Sequence, residues 1–152
     1  MESKMSTAAI CAITTAFAID ASAALFARAL AAGRKHSFLP IPPRRSSRLL
    51  DLGSFKTQMK AGYYAGQREV ALDDIHGTEG RQNDFDDRFN PLSDRIRQRW
   101  QSVAKAFYEG ISLPPVELIQ VGEVYFVRDG HHRISVARAL GQSTITAKVT
   151  AW

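Results

Sequence analysis

The chain has 152 residues, 45% of them hydrophobic and 23% charged, with a formal net charge of +5. That length suits one domain with a real core plus an appendage, and the composition is that of a globular protein rather than a disordered or fibrous one. A lone cysteine, Cys11, excludes an internal disulfide framework and a cysteine-based zinc cluster; with no HExxH or paired-Cys spacing present, no metal site is expected.

The charge is unevenly placed. Residues 1–50 carry seven Lys or Arg against two acids, whereas residues 51–152 carry thirteen of each. The basic excess therefore belongs to the first third of the chain. Arg34, Lys35, Arg44, Arg45 and Arg48 form a basic arm that fits DNA or another acidic surface, and equally fits plain solubility.

Residues 6–33 are Ala-rich, with Ile10, Ile13, Phe17, Leu25, Phe26 and Leu30 as the larger members. A membrane span needs about 20 predominantly apolar residues, and Asp20 and Arg28 interrupt this run. Ala21-Ser22-Ala23 resembles a leader cleavage site, but Glu2 and Lys4 cancel where a basic leader would begin. The expectation is a cytoplasmic protein, without a membrane, whose helix over 1–33 packs on the domain or on a second copy as a homodimer.

Gly33 and the prolines Pro40, Pro42 and Pro43 mark a basic linker, and residues 47–60 read as a short helix, so 34–67 is taken as linker and 68–152 as the domain. Glu69 to Leu72 reads as a short strand, and His76 to Arg81 as a turn. Asn90-Pro91 signals a helix start, after which Leu92, Ile96, Trp100, Val103 and Phe107 make one apolar stripe. Val116–Val121 and Val124–Val127, joined by Gly122-Glu123, predict a β-hairpin. A helix over 131–140 closed by Gly141, then a strand over Thr144–Val149, complete a small α+β domain.

The junction Asp129-Gly130-His131-His132-Arg133 carries the chemistry. A strand runs into an Asp-Gly turn, and a helix opens with two imidazoles and a guanidinium on its first turn. There the unpaired amides and the positive dipole end favour an anion, and Arg133 adds a planar fork for phosphate or carboxylate oxygens. The two histidines are expected on different sides of the helix start, one at most reaching a pocket. Gly77, Gly80 and Arg81 could add a backbone cradle. Arg138 reads as solvated.

Three segments, Ile111 to Val116, Val124 to Gly141 and Ile145 to Val149, resemble in that order the ParB/sulfiredoxin-like superfamily, specifically the N-terminal "ParB-like nuclease" domain of partition proteins, over roughly residues 68–150. Gly130-His131-His132-Arg133 stands where that family has Gly-Glu-Arg-Arg, a motif that contacts nucleotide phosphates. Leu72 to Ile75, Gly77 to Arg81 and Phe85-Asp86-Asp87 resemble its first motif, with a shorter turn. The resemblance implies a nucleotide- or phosphate-binding protein, DNA-associated, whose ligand is a nucleoside triphosphate with magnesium held by Gly77, Thr78, Glu79, Arg81, Asp129, Gly130, His131, His132, Arg133 and Ser135. His131 stands where sulfiredoxins place their catalytic cysteine, which argues against that chemistry, and the helix-turn-helix of partition proteins is absent before Trp152. Two alternatives remain. One is an enzyme on the same scaffold, a magnesium-dependent nuclease or small-molecule kinase, with His131 or His132 as base and Glu79, Asp84 or Asp86 at the metal. The other is a nonspecific nucleic-acid accessory that uses the basic arm.

Overall fold

The computed structural model describes residues 7–38, 48–55 and 61–152. Three helices, α1 (Thr7–Phe38), α2 (Arg97–Tyr108) and α3 (His131–Ala139), pack against a mixed six-stranded sheet. Its strands are β1 (Leu50–Asp51), β2 (Tyr63–Ala71), β3 (Ile75–Thr78), β4 (Val116–Val121), β5 (Val124–Asp129) and β6 (Thr144–Ala151). Their order is β1-β3-β5-β4-β6-β2, with β1–β3, β3–β5 and β4–β6 parallel and β4–β5 and β2–β6 antiparallel. The fold is α+β, as the patterning predicts.

The hairpin β4–β5 turns at Gly122, whose φ of 61° suits a tight two-residue connection. α3 and β6 also lie where the sequence places them. The main core fills the space between the helices and one face of the sheet. Trp100, fully buried on α2, meets Phe26 of α1 edge-on at 5.3 Å and donates from Nε1 to Ser135 Oγ of α3 at 2.7 Å, so one side chain ties the three helices together. Burying two such rings contributes several kcal/mol, on the order of 25 cal/mol per Å² of apolar area. The other face carries a small cluster of Leu52, Ile119 and Phe126, covered by Phe55 at 5.6 Å from the Phe126 ring.

Several elements differ from expectation, each for a local reason. α1 passes Gly33 and runs on to Phe38, because Gly33 is selected for close approach rather than as a stop: a Cβ there would sit 2.6 Å from the Pro91 carbonyl oxygen. The helix brings Leu25, Phe26, Ala29 and Leu30 into the same core as the sheet. Its stretch Cys11–Lys35 is long and apolar enough to cross a membrane by length and composition, yet 39% of its apolar 18-residue window is buried inside the fold. In place of a helix over the described part of 47–60, Leu50–Asp51 pairs with Gly77–Thr78 and a 3-10 turn follows over Leu52–Ser54, because burying Leu52 on the Phe126 face outweighs helix propensity; residues 47 and 56–60 lie outside those described. The strand expected over 69–72 is the nine-residue β2, and the first half of the stretch read as a turn, His76 to Thr78, is β3. Asn90 does not cap a helix, because its side chain is bonded to Asp86; Ser93 caps instead, accepting from the Arg95 N–H at 3.1 Å. α2 begins at Arg97 after a short 3-10 turn, and of the predicted stripe Ile96 and Trp100 are buried while Val103 and Phe107 are half-buried.

Candidate functional site

β5 ends at Asp129 and α3 starts at His131, with Gly130 between them at φ 101° and ψ 20°. That left-handed geometry favours glycine, and packing demands it as well, since a Cβ would lie 2.5 Å from Val116 Cγ1. Gly130 has no side chain to cap the helix. The Ile134 N–H is bonded back to the Gly130 carbonyl at 3.0 Å, which leaves the amides of His131, His132 and Arg133 as the orphan donors of the first turn.

In front of this turn lies a cavity of about 240 Å³. Asp129, Gly130, His131, His132 and Arg133 line it from the junction, Arg81 from the loop after β3, Arg99 and Val103 from α2, and Leu113 and Pro114 from the lead-in to β4. Both histidines therefore wall one pocket. Phe85 explains why: its ring, fully buried, stacks nearly parallel to His131 at 6.2 Å and meets His132 edge-on at 5.6 Å.

The two imidazoles are buried, at 4% and 8% exposure. His131 Nε2 lies 2.6 Å from Thr78 Oγ1, which also accepts the Arg81 N–H at 3.3 Å. His132 Nε2 is buried and has no hydrogen-bond partner. Burial pushes the pKa of each down to about 4, helped by Arg81 beside His131 and by Arg99 beside His132. Both rings are consequently neutral near pH 7, and the fixed positive charge of the pocket comes from Arg81, Arg99 and Arg133 against the carboxylate of Asp129.

Arg133 is less free than the sequence suggests. One of its terminal nitrogens donates to the carbonyls of Pro114 and of Pro115, the latter at 3.0 Å, and the other to Asp129 Oδ2 at 2.6 Å. The guanidinium thus clamps the lead-in to β4 against the junction and borders both the small cavity and a neighbouring hollow of about 600 Å³. The two spaces share Arg133, Leu113 and Pro114.

Of the ten residues marked as ligands, the fold gathers six at this pocket: Arg81, Asp129, Gly130, His131, His132 and Arg133. The other four stand elsewhere. Gly77 lies under the Phe126 ring, where a Cβ would meet Cδ1 at 2.1 Å, and Thr78 sits behind His131. Glu79 donates its N–H to the Val127 carbonyl and accepts Arg128 Nε at 3.1 Å on its carboxylate. Ser135 faces α2 and accepts Trp100. Gly80, at φ 94°, turns the chain after β3.

The acids that the sequence offers as magnesium ligands do other work. Asp86, 1% exposed, accepts the N–H groups of Arg88 and Asn90 and the Asn90 side chain, and Asp84 pairs with Arg81 at 3.3 Å. Among the described residues no three His, Cys, Asp or Glu gather to hold a metal. Three residues of the basic arm are among those described. Arg34 pairs with Asp94 at 3.1 Å on the surface, Lys35 is exposed on α1, and the backbone of Arg48 forms an isolated antiparallel β-bridge with that of Asp86; Arg44 and Arg45 lie outside the described residues. Arg138, expected in solvent, instead donates to the Leu72 and Ile75 carbonyls and lies 5.7 Å over the Phe89 ring. The sequence reading missed Arg99, Leu113 and Pro114 as pocket walls. Arg99 carries no local signal, since Arg95 and Arg97 stand at alternate positions just before it.

Comparison with known proteins gives little beyond this geometry. No family model matches the chain, and no curated protein does. Among solved structures, the crystal structure of sulfiredoxin from Arabidopsis thaliana aligns over 55% of this chain and 82% of its own, at 21% identity and a TM-score of 0.40.

Proposed function

We propose that this protein binds a phosphoryl-type anion in the pocket at the start of α3, with a nucleoside triphosphate as the ligand class. One observation carries the reading: His132 Nε2, buried in the pocket wall without a partner, stands beside three uncapped helix amides. A buried polar nitrogen left unbonded costs about 1–3 kcal/mol, and an oxygen-rich anion relieves that cost while satisfying the amides. Arg81 and Arg99 add charge to the walls. The cavity of about 240 Å³ suits phosphate groups rather than a whole nucleotide, and the adjoining hollow of about 600 Å³ offers room for the remainder. The resemblance of residues 124–141 to ParB-like domains points the same way. Binding is favoured over catalysis, since a general base works best with a pKa near ambient pH and both imidazoles titrate near 4.

Titration calorimetry with inorganic phosphate, pyrophosphate, CTP and ATP, with and without magnesium, tests this directly. Saturable heat is expected from at least one of them. It should weaken about tenfold in Arg99→Ala, whose side chain is exposed and whose loss leaves the core alone. No heat from any of the four, with the fold verified by circular dichroism, overturns the reading.

A further inference from the structure

α1 is Ala-rich on both sides, but only one side of it is well covered. Ala18, Leu25, Phe26, Ala29 and Leu30 are buried in the fold. On the opposite side Ile13, Phe17, Asp20, Ala24, Ala27 and Ala31 are all exposed, Ile13 by 57% and Phe17 by 65%, although the Phe17 ring at the rim of this face also meets Tyr108 of α2 edge-on at 6.2 Å. Their spacings are four, three, four, three and four residues, the 3.5-residue period of a seam between two helices. A single surface helix has no use for such a seam.

Asp20 and Arg28 decide what covers it. Both are exposed, neither has an ion-pair partner among the described residues, and eight residues of helix hold them about 12 Å apart. They cannot neutralise one another within one chain. We propose that a second copy of this chain packs antiparallel along the outer seam of α1, with the two-fold axis crossing at Ala24. In that register Asp20 meets Arg28 of the partner subunit and Arg28 meets the partner's Asp20, so symmetry makes two pairs and leaves neither charge alone. Phe17 then lies opposite Ala31 of the partner subunit, large against small, and the alanines flanking the axis allow close approach. A bilayer is the poorer cover. Both charged groups would enter hydrocarbon unpaired, and the Phe26 face is already engaged with Trp100.

Sedimentation equilibrium of the full chain without lipid tests the assignment. The wild type is expected to dimerise reversibly. Asp20→Arg and Arg28→Asp singly should each weaken association about tenfold, since each reversal turns two attractive pairs repulsive. The double swap should restore it. All three variants alter exposed positions, and unchanged circular dichroism separates lost association from lost folding. A monomer at every concentration, single reversals without effect, a double swap that fails to rescue, or a monomer that floats with vesicles of neutral phospholipid would each overturn the proposal.

Discussion

Lowering the pH should destabilise this protein well above the range in which carboxylates titrate, because of His131 and His132. An unfolded histidine has a pKa near 6.5, and burial holds both folded imidazoles at about 4. The folded state therefore resists protons that the unfolded state accepts. Stability is complete above about pH 6.5, declines as the pH falls, and its loss is complete once the pH has passed through about 4. At pH 5 each ring accounts for about 2 kcal/mol, taking about 1.4 kcal/mol per pKa unit, so the pair accounts for about 4 kcal/mol. A domain of this size is stable by roughly 5–15 kcal/mol, so the loss is a large share of the whole. Asp94, the surface carboxyl held below its ordinary value first by its hydrogen bond to Arg97, loses its contribution only at lower pH and lies outside this window. Urea denaturation at pH 7.5, 6.5 and 5.0 measures the effect, and His132→Leu should remove about half of the pH dependence. Saturating phosphate should flatten the curve, since an anion beside the rings favours their charged form. Equal stability at pH 7.5 and 5.0, or either imidazole titrating near 6.5 by NMR, would refute the reasoning.

Two further outcomes follow from packing at the junction. Gly130→Ala should cost about 3 kcal/mol by chemical denaturation, combining about 1–2 kcal/mol for a left-handed non-glycine residue with overpacking against Val116; a cost below about 1 kcal/mol would mean the turn is not held as described. Ser135→Ala should cost about 1–3 kcal/mol, because Trp100 Nε1 loses its buried acceptor, while phosphate affinity stays unchanged; a selective loss of phosphate binding would return Ser135 to the site.

How much of this was legible in the sequence depends on the range of the interaction. The strand-turn-helix junction at Gly130 is encoded in consecutive residues, and the hairpin and the last helix and strand are likewise readable from their alternation and turn chemistry. The middle of the chain was misread wherever a distant contact overrode a local signal. Gly33 looks like a helix stop until Pro91 is seen against it, and Asn90-Pro91 looks like a helix start until Asp86 takes the Asn90 side chain. Leu50 and Leu52 suit a helix as well as a strand, and only pairing with β3 and the Phe126 surface settles the choice. At the site, the consecutive run 129–133 was found and Arg99 was not, because nothing near Arg99 separates it from its neighbours on α2.

Arg133 and Asp86 show why chemistry-bearing residue types were easier to notice than to assign. An arginine on the first turn of a helix reads as an anion ligand, yet the carbonyls of Pro114 and Pro115 and the Asp129 carboxylate already occupy both its terminal nitrogens. Its effect on a ligand then lies mainly in fixing the lead-in that supplies Leu113 and Pro114 to the wall. Asp86 reads as a metal ligand, yet its oxygens hold the turn after Phe85 closed, and Phe85 is the surface on which both imidazoles rest. Each group acts on the pocket at one remove, by holding a residue that lines it. The pocket groups with unused hydrogen-bonding capacity, among them the first-turn amides, His132 Nε2 and the Arg99 guanidinium, are therefore the ones an anion would meet.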